Sequence, residues 1–238
     1  MASPTPDYGV DAPTVPIALG IGGLLALAVG IATLPGGVGL VVVAVLLLAQ
    51  GSLFLHTTRR GKFVVWDEVL DGLALRGDEQ LLDLGCGRGA VLMAAAQRLP
   101  QGTATGIDLW RSVDQSGNSI EATEANARAE GVAERLTLET GDMAALPFPD
   151  ARFDVVVSSL AIHNIPSLEG RLAAIDQAVR VLRPGGHLVV ADIKSAKHYA
   201  ARLTETGQAD VRSRGLGWRF WYGGPWMATT LVTATKPA

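Results

Sequence analysis

One cysteine, Cys86, occurs in the 238 residues. That excludes an intrachain disulfide framework and any metal site built on several thiolates. An excess of positive charge is also missing: 20 lysines and arginines stand against 23 aspartates and glutamates, for a net charge of −3. A protein that grips nucleic acid carries a basic face, so no nucleic-acid partner is expected. The chain has no internal repeat and no low-complexity linker. What it has in excess is apolar: 48% of its residues are hydrophobic and the mean hydropathy is +0.28. That excess sits in the first quarter.

Residues 1–16 are rich in proline and small residues, with Asp7 and Asp11 the only charges; they read as a flexible tail. Ile17 to Leu34 then runs 18 residues without a charge, Pro35-Gly36-Gly37 breaks the run, and Val38 to Leu55 is a second run of 18. As helices each would span about 27 Å, close to the ~30 Å hydrocarbon core. The pattern predicts a transmembrane helical hairpin over 17–56, with monotopic insertion or a buried soluble hairpin as alternatives. A secretory signal would need a basic leading region, which is absent. Arg59, Arg60 and Lys62 follow the second run, and the inter-helix turn is uncharged. The positive-inside rule then places residues 57–238, and the tail, on the cytoplasmic side of the cell membrane. Gly22, Ala26 and Gly30 share one helix stripe. Such small residues let helices approach closely, within the hairpin or between copies in a homo-oligomer.

From Gly61 onward the pattern alternates. Apolar runs at 80–83, 103–108, 135–140, 153–158, 187–192 and 227–235 predict strands, and helical periods cover 63–75, 89–99, 119–130, 167–182 and 196–206. Continuous apolar strands between helices mean a parallel, doubly wound α/β sheet covered on both faces. In such sheets ligands bind at the carboxyl ends of the strands, near the switch point.

The loops at those ends carry the chemistry. The first strand ends at Asp83 and opens into Gly85-Cys86-Gly87-Arg88-Gly89 before a helix. Glycine allows close backbone approach, and the helix start favours negative charge on a ligand. Gly85, Gly87 and Ala90 also satisfy the dinucleotide fingerprint, so a nicotinamide-dependent oxidoreductase stays open at this point. The second strand ends at Asp108, suited to two ribose hydroxyls. The third leads to Asp142-Met143, the fourth to Ser158-Ser159, and Arg183-Pro184-Gly185-Gly186 precedes a further strand.

Taken in order, LLDLGCGRGAVL, TGIDLW, TGDMAALPFPDARFDVVVSSLAIHNI and VLRPGGHLVVADI resemble the class I S-adenosylmethionine-dependent methyltransferase family over roughly residues 62–195. The resemblance implies a seven-stranded sheet with an antiparallel last strand, and S-adenosylmethionine as methyl donor. It implies that Gly85, Cys86 and Gly87 line the methionine end within a loop closed by Gly89, and that Asp83 supports the loop or meets the ligand amine. Asp108 would bind the ribose, Leu109 would pack on the adenine, Asp142 and Met143 would hold the adenine edge, and Ser158 would lie near the sulfonium.

For the acceptor, His163 follows the fourth strand and its ordinary pKa suits proton removal near neutrality; a histidine that only shapes the loop is the alternative. Trp218, Phe220, Trp221, Tyr222 and Trp226 precede the last strand. They are read as a platform for a flat acceptor, as bilayer-interface anchors, or as packing. Anchor and aromatics together point to a small hydrophobic acceptor that partitions into the lipid bilayer, such as a quinone, phenol, isoprenoid or xenobiotic thiol. No metal is expected, and the cysteines that arsenite methylation needs are missing. The non-enzymatic alternative is a membrane oligomer that binds a ligand without turnover.

Overall fold

A computed structural model describes residues 5–238; residues 1–4 of the expected tail lie outside the described residues. Two helices open the chain, α1 (Thr14–Ala32) and α2 (Val38–His56). Pro16 is accommodated in the first turn of α1, where its missing N–H costs nothing. One π-helical turn, Thr57–Gly61, joins α2 to α3 (Lys62–Asp71) without a break. Both opening helices are long and apolar enough to cross a membrane, with mean hydropathy 2.3 and 2.5, and only 17% of each apolar window is buried in the protein. Ile17, Ile21, Leu24, Leu25, Val42 and Leu46 are uncovered. The core helix of a soluble protein would bury such side chains.

The small-residue face packs inside the hairpin. A Cβ on Gly30 would press on Val41, and one on Gly23 would press on Leu48, whereas Gly22 stands further from Leu47. Gly23, one position beyond the expected stripe, therefore carries the closest approach together with Gly30.

The rest is β1 (Gln80–Leu84), α4 (Ala90–Gln97), β2 (Thr103–Asp108), α5 (Ile120–Ala129), β3 (Leu136–Thr140), β4 (Phe153–Ser159), α6 (Leu168–Val181), β5 (Leu182–Asp192), α7 (Ala196–Glu205), β6 (Ala209–Gly215) and β7 (Thr230–Thr235). They build one seven-stranded sheet in the order β3-β2-β1-β4-β5-β7-β6. The first five strands are parallel, and β7 runs antiparallel to both β5 and β6. The period of two along each strand sends side chains to opposite faces. Leu81, Val155 and Val157 join Trp66 and Leu92 on one side, while Leu82, Leu84 and Val156 join Ile175 and Tyr199 on the other. Ser119 and Ser167 cap α5 and α6 by accepting from Ala122 N and Gly170 N, as their side chains suit.

Three features differ from the sequence reading. The sequence pattern contains no strand between 206 and 227, yet β6 is there. It is an edge strand, mostly exposed and arginine-containing, so it lacks an apolar signal. The segment Arg183–Gly186, expected as a turn, is absorbed into β5 next to a register shift against β4. The expected flexible tail is, over residues 7–12, a strap laid on the globular part. Asp7 N donates to Asn126 Oδ1 (2.8 Å), Tyr8 Oη to Glu130 (2.8 Å) and Val10 N to Ser116 Oγ (2.8 Å), while Ser116 N donates back to Val10 O (3.0 Å). A short polar segment reads alike in composition whether it is free or bound. Its partners, at positions 115–130, are too distant in sequence to be seen. The strap also claims Lys62, one of the cations counted for orientation: it is buried, with Nζ 2.9 Å from Asp11.

Candidate active site

The chain returns across the sheet between β1 and β4, and there the strand ends open onto one cavity of about 910 Å³. Of the sequence-predicted residues, Asp83, Gly85, Cys86, Gly87, Asp108, Leu109, Asp142, Met143 and His163 line it. Two do not. Ser158 is buried, and its hydroxyl donates to Leu84 O (2.9 Å). Ser159, on the opposite face of β4, and Leu160, just past the strand end, line the cavity instead. Gly89 caps α4 with φ +84°, and a Cβ there would face Met93 and Thr123 rather than a ligand.

The loop after β1 is tightly held. Gly85 N and Cys86 N both donate to Ile107 O. Gly87 N donates to Asp108 Oδ2 (2.9 Å), and Trp110 N donates to the other oxygen of the same carboxylate (2.6 Å). Asp108 is thereby fixed at the cavity wall with lone pairs left for a ligand. Gly85 has φ +70°, and an added Cβ would collide with Ala161. Gly85→Ala is expected to destabilise the fold by at least about 1–2 kcal/mol, from the left-handed backbone alone, and to weaken donor binding. Thermal unfolding and calorimetry check both.

Asp83 is the most unusual group. It is 1% exposed, and neither carboxylate oxygen has a hydrogen-bond partner. Burial first, then the neighbouring charge of Asp108, push its carboxyl up to about 8. A buried carboxyl with no partner, set in a ligand cavity, suits a cation. S-adenosylmethionine carries two, an ammonium and a sulfonium, so the residues present fit the donor. Asp142 is an exposed acid whose Oδ1 accepts from Ala144 N (2.8 Å), leaving its other oxygen free. Cys86 is buried, and burial chiefly pushes its thiol well up. It fills a tight loop beside Gly106.

On the loop after β4, the Nδ1 of His163 stands 2.7 Å from Asp192 Oδ1, but out of line for a hydrogen bond. Asp192 is 1% exposed. It is locked by Tyr199 Oη (3.1 Å) and by the backbone N–H groups of His163 (3.0 Å) and Ile193 (2.7 Å). Sequence reasoning missed Asp192, although it ends an apolar run (Leu188–Ala191) just as Asp83 does. It also missed Asp11, Lys62, Asp114 and Gln115, all lining the cavity. Asp114 is half-buried, and burial chiefly pushes its carboxyl up. The aromatic segment divides: Phe220 and Tyr222 are core, whereas Trp218 and Trp226 are largely exposed. Trp226 borders the cavity, and Trp218 stacks on His56 at the end of α2.

A seven-stranded sheet of this order, with a glycine loop after its first strand and an acid after its second, defines the class I methyltransferase fold. Residues 75–214 match the family described as Methyltransferase domain. The chain belongs to the class I S-adenosylmethionine-dependent methyltransferases, which decides the glycine loop in favour of the methyl donor over a nicotinamide. It is 39% identical over 127 residues to a ubiquinone/menaquinone biosynthesis C-methyltransferase of Dinoroseobacter shibae, covering 53% of this chain and 47% of the relative. It is 38% identical over 128 residues to the 27-O-demethylrifamycin SV methyltransferase of Amycolatopsis mediterranei, covering 53% and 43%. The chain thus spans less than half the length of these curated relatives. Among solved structures, a geranyl diphosphate methyltransferase in complex with S-adenosylmethionine superposes with TM-score 0.61 at 14% identity, over 79% of this chain and 90% of that one.

Proposed function

We propose that this chain transfers a methyl group from S-adenosylmethionine to a small, uncharged, hydrophobic acceptor that it meets at a membrane surface. The observation that carries this reading is the continuity of the cavity. Its lining includes Asp83, Gly85 and Asp108 together with Val15 and Leu19 of α1 and Gln50 and Phe54 of α2. Residues 17–56 act as the membrane hairpin, and residues 57–238 as the methyltransferase domain on the cytoplasmic face. The donor, when bound, supplies an electrophilic methyl and its own leaving group. The protein then has to align and shield the reactants.

Asp83 faces the donor's positive charge, Asp108 accepts from the ribose hydroxyls, and Asp142, Met143 and Leu109 hold the adenine. His163, backed by Asp192, removes a proton from an acceptor hydroxyl or acidic carbon. The names of the two curated relatives cover both cases, one a C-methyltransferase and the other a 27-O-methyl product. Five aspartates, at 11, 83, 108, 114 and 142, line the cavity against Lys62 and Arg111, and Lys62 is already paired with Asp11. That balance disfavours a phosphate-bearing acceptor.

The test uses the full chain in lipid vesicles with methyl-labelled donor. Mass spectrometry of lipid extracts should reveal a labelled neutral product. A long-tailed phenolic acceptor should show at least about a tenfold lower KM than its short-chain analogue, as burial of a few CH2 groups provides. Equal efficiency for the two chain lengths would remove the membrane route, and absence of any labelled product would remove the catalytic reading.

A further inference from the structure

We infer that Asp11 and Gln115 are positioning residues for the methyl donor: they tie the strap, and through it the foot of the hairpin, to the donor-binding loop. The inference rests on the donor reading above and extends it to a part of the chain outside the matched domain.

The Asp11 carboxylate collects donors from three separate parts of the fold. It accepts from Lys62 Nζ (2.9 Å) and Thr58 Oγ1 (2.7 Å) at the end of the hairpin, from Tyr222 Oη (2.8 Å) in the aromatic segment, and from Gln115 Nε2 (3.1 Å). The Lys62 charge balances it, so the cluster is closed and neutral and exerts its effect by geometry. Gln115 passes that geometry on. Its Nε2 also donates to Tyr8 O (3.1 Å), and its Oε1 accepts from Arg88 N (2.8 Å) inside the glycine loop. The same oxygen lies so close to Gly87 that a Cβ there would push it aside.

Arg88 is gripped at its other atoms too. Its guanidinium reaches Asp7 (2.9 Å) and Ser116 O (3.0 Å), and its carbonyl accepts from Asn126 Nδ2 (2.9 Å), which also donates to Asp7 O (2.9 Å). These contacts of Arg88 all run to the strap or to a residue the strap touches. The neighbouring Gly87 N holds Asp108 (2.9 Å), the acid assigned to the ribose. Strap, Gln115, loop and ribose acid form one hydrogen-bonded series. Loosening it displaces the donor's seat, and His163 takes no part in the series.

Gln115→Ala in the full chain, held in detergent micelles, tests this. Calorimetry with S-adenosylhomocysteine should show about a 10- to 100-fold loss of affinity, as expected when one or two hydrogen bonds to a buried backbone group are removed. Donor KM should rise in step, with kcat at saturating donor and acceptor KM within about twofold of wild type. Tyr222→Phe removes a single donor from Asp11 and should weaken binding in the same direction, by less. The double variant should be no weaker than Gln115→Ala alone, because both act through one series. Unchanged affinity in Gln115→Ala, a fall in kcat with donor KM constant, or additive losses in the double variant would each overturn the inference. If Gln115→Ala does not fold, Tyr222→Phe decides it: affinity equal to wild type overturns it. Failure of the wild-type chain to bind S-adenosylhomocysteine would instead overturn the methyltransferase reading itself.

Discussion

Asp83→Asn is expected to reduce donor affinity by about 100-fold or more, while the ligand-free protein becomes more heat-stable at pH 8. The two effects have one origin. Asp83 is enclosed and without a partner, so its charge is costly until a ligand cation arrives. Its folded value, about 8, lies above the ordinary 3.8. Between those values the folded protein keeps a proton that the unfolded chain has lost. The unfolded state then binds fewer protons, and ligand-free stability falls as pH rises through the window, levelling above about 8. Asparagine removes that slope. For binding the sign is reversed. A cationic donor favours the ionised carboxylate, so below pH 8 its binding expels a proton, and affinity should climb by up to about tenfold per unit between pH 6 and 7.5. Removing one partner of a buried charge pair costs about 3 kcal/mol or more, which sets the size of the loss. Calorimetry in two buffers of different ionisation enthalpy reads the released proton directly. A wild-type affinity flat across that range would contradict the assignment.

What the sequence made legible follows from how locally each feature is encoded. The glycine loop was legible because glycines, a preceding apolar strand and a following helix are contiguous, and because the family's motifs recur in order. β1, α4, β2, α5 and α6 each show an apolar run or period bounded by glycine, proline or a capping serine; β6 shows none, being an exposed edge whose strand partner is β7. Ser158 against Ser159 turned on a single residue of strand parity, which an apolar run with serines at its end does not specify. The strap was hidden for another reason. Its stability lies in pairs separated by 47 to 211 residues, such as Asp11 with Thr58 and Asp11 with Tyr222. Nothing in the local pattern around Asp11 distinguishes a latch from a loose end. Asp192 was visible in principle, since it is a fourth acid closing an apolar strand. Its pairing with His163 was not, because the two lie 29 positions apart with a whole helix, α6, between them.

That pairing leads to the second large effect. His163→Ala is expected to lower kcat by about 10² to 10⁴, the range for loss of a general base, with S-adenosylhomocysteine affinity unchanged. Asp192 faces the Nδ1 side of the ring, so a proton held there leaves Nε2 as the accepting nitrogen. The present 2.7 Å approach is misaligned, and such contacts commonly tighten when the acceptor arrives. Tyr199 and two backbone N–H groups hold the Asp192 carboxylate in place, which fixes the direction the ring must face. Asp192→Asn should therefore retain donor binding and lose part of the same kcat. The double variant should be no slower than His163→Ala alone, since Asp192 acts through the ring. Acceptors that are already anionic at neutral pH should lose far less than hydroxyl acceptors in both variants. Equal losses for the two acceptor classes would mean that His163 shapes the pocket and takes no proton.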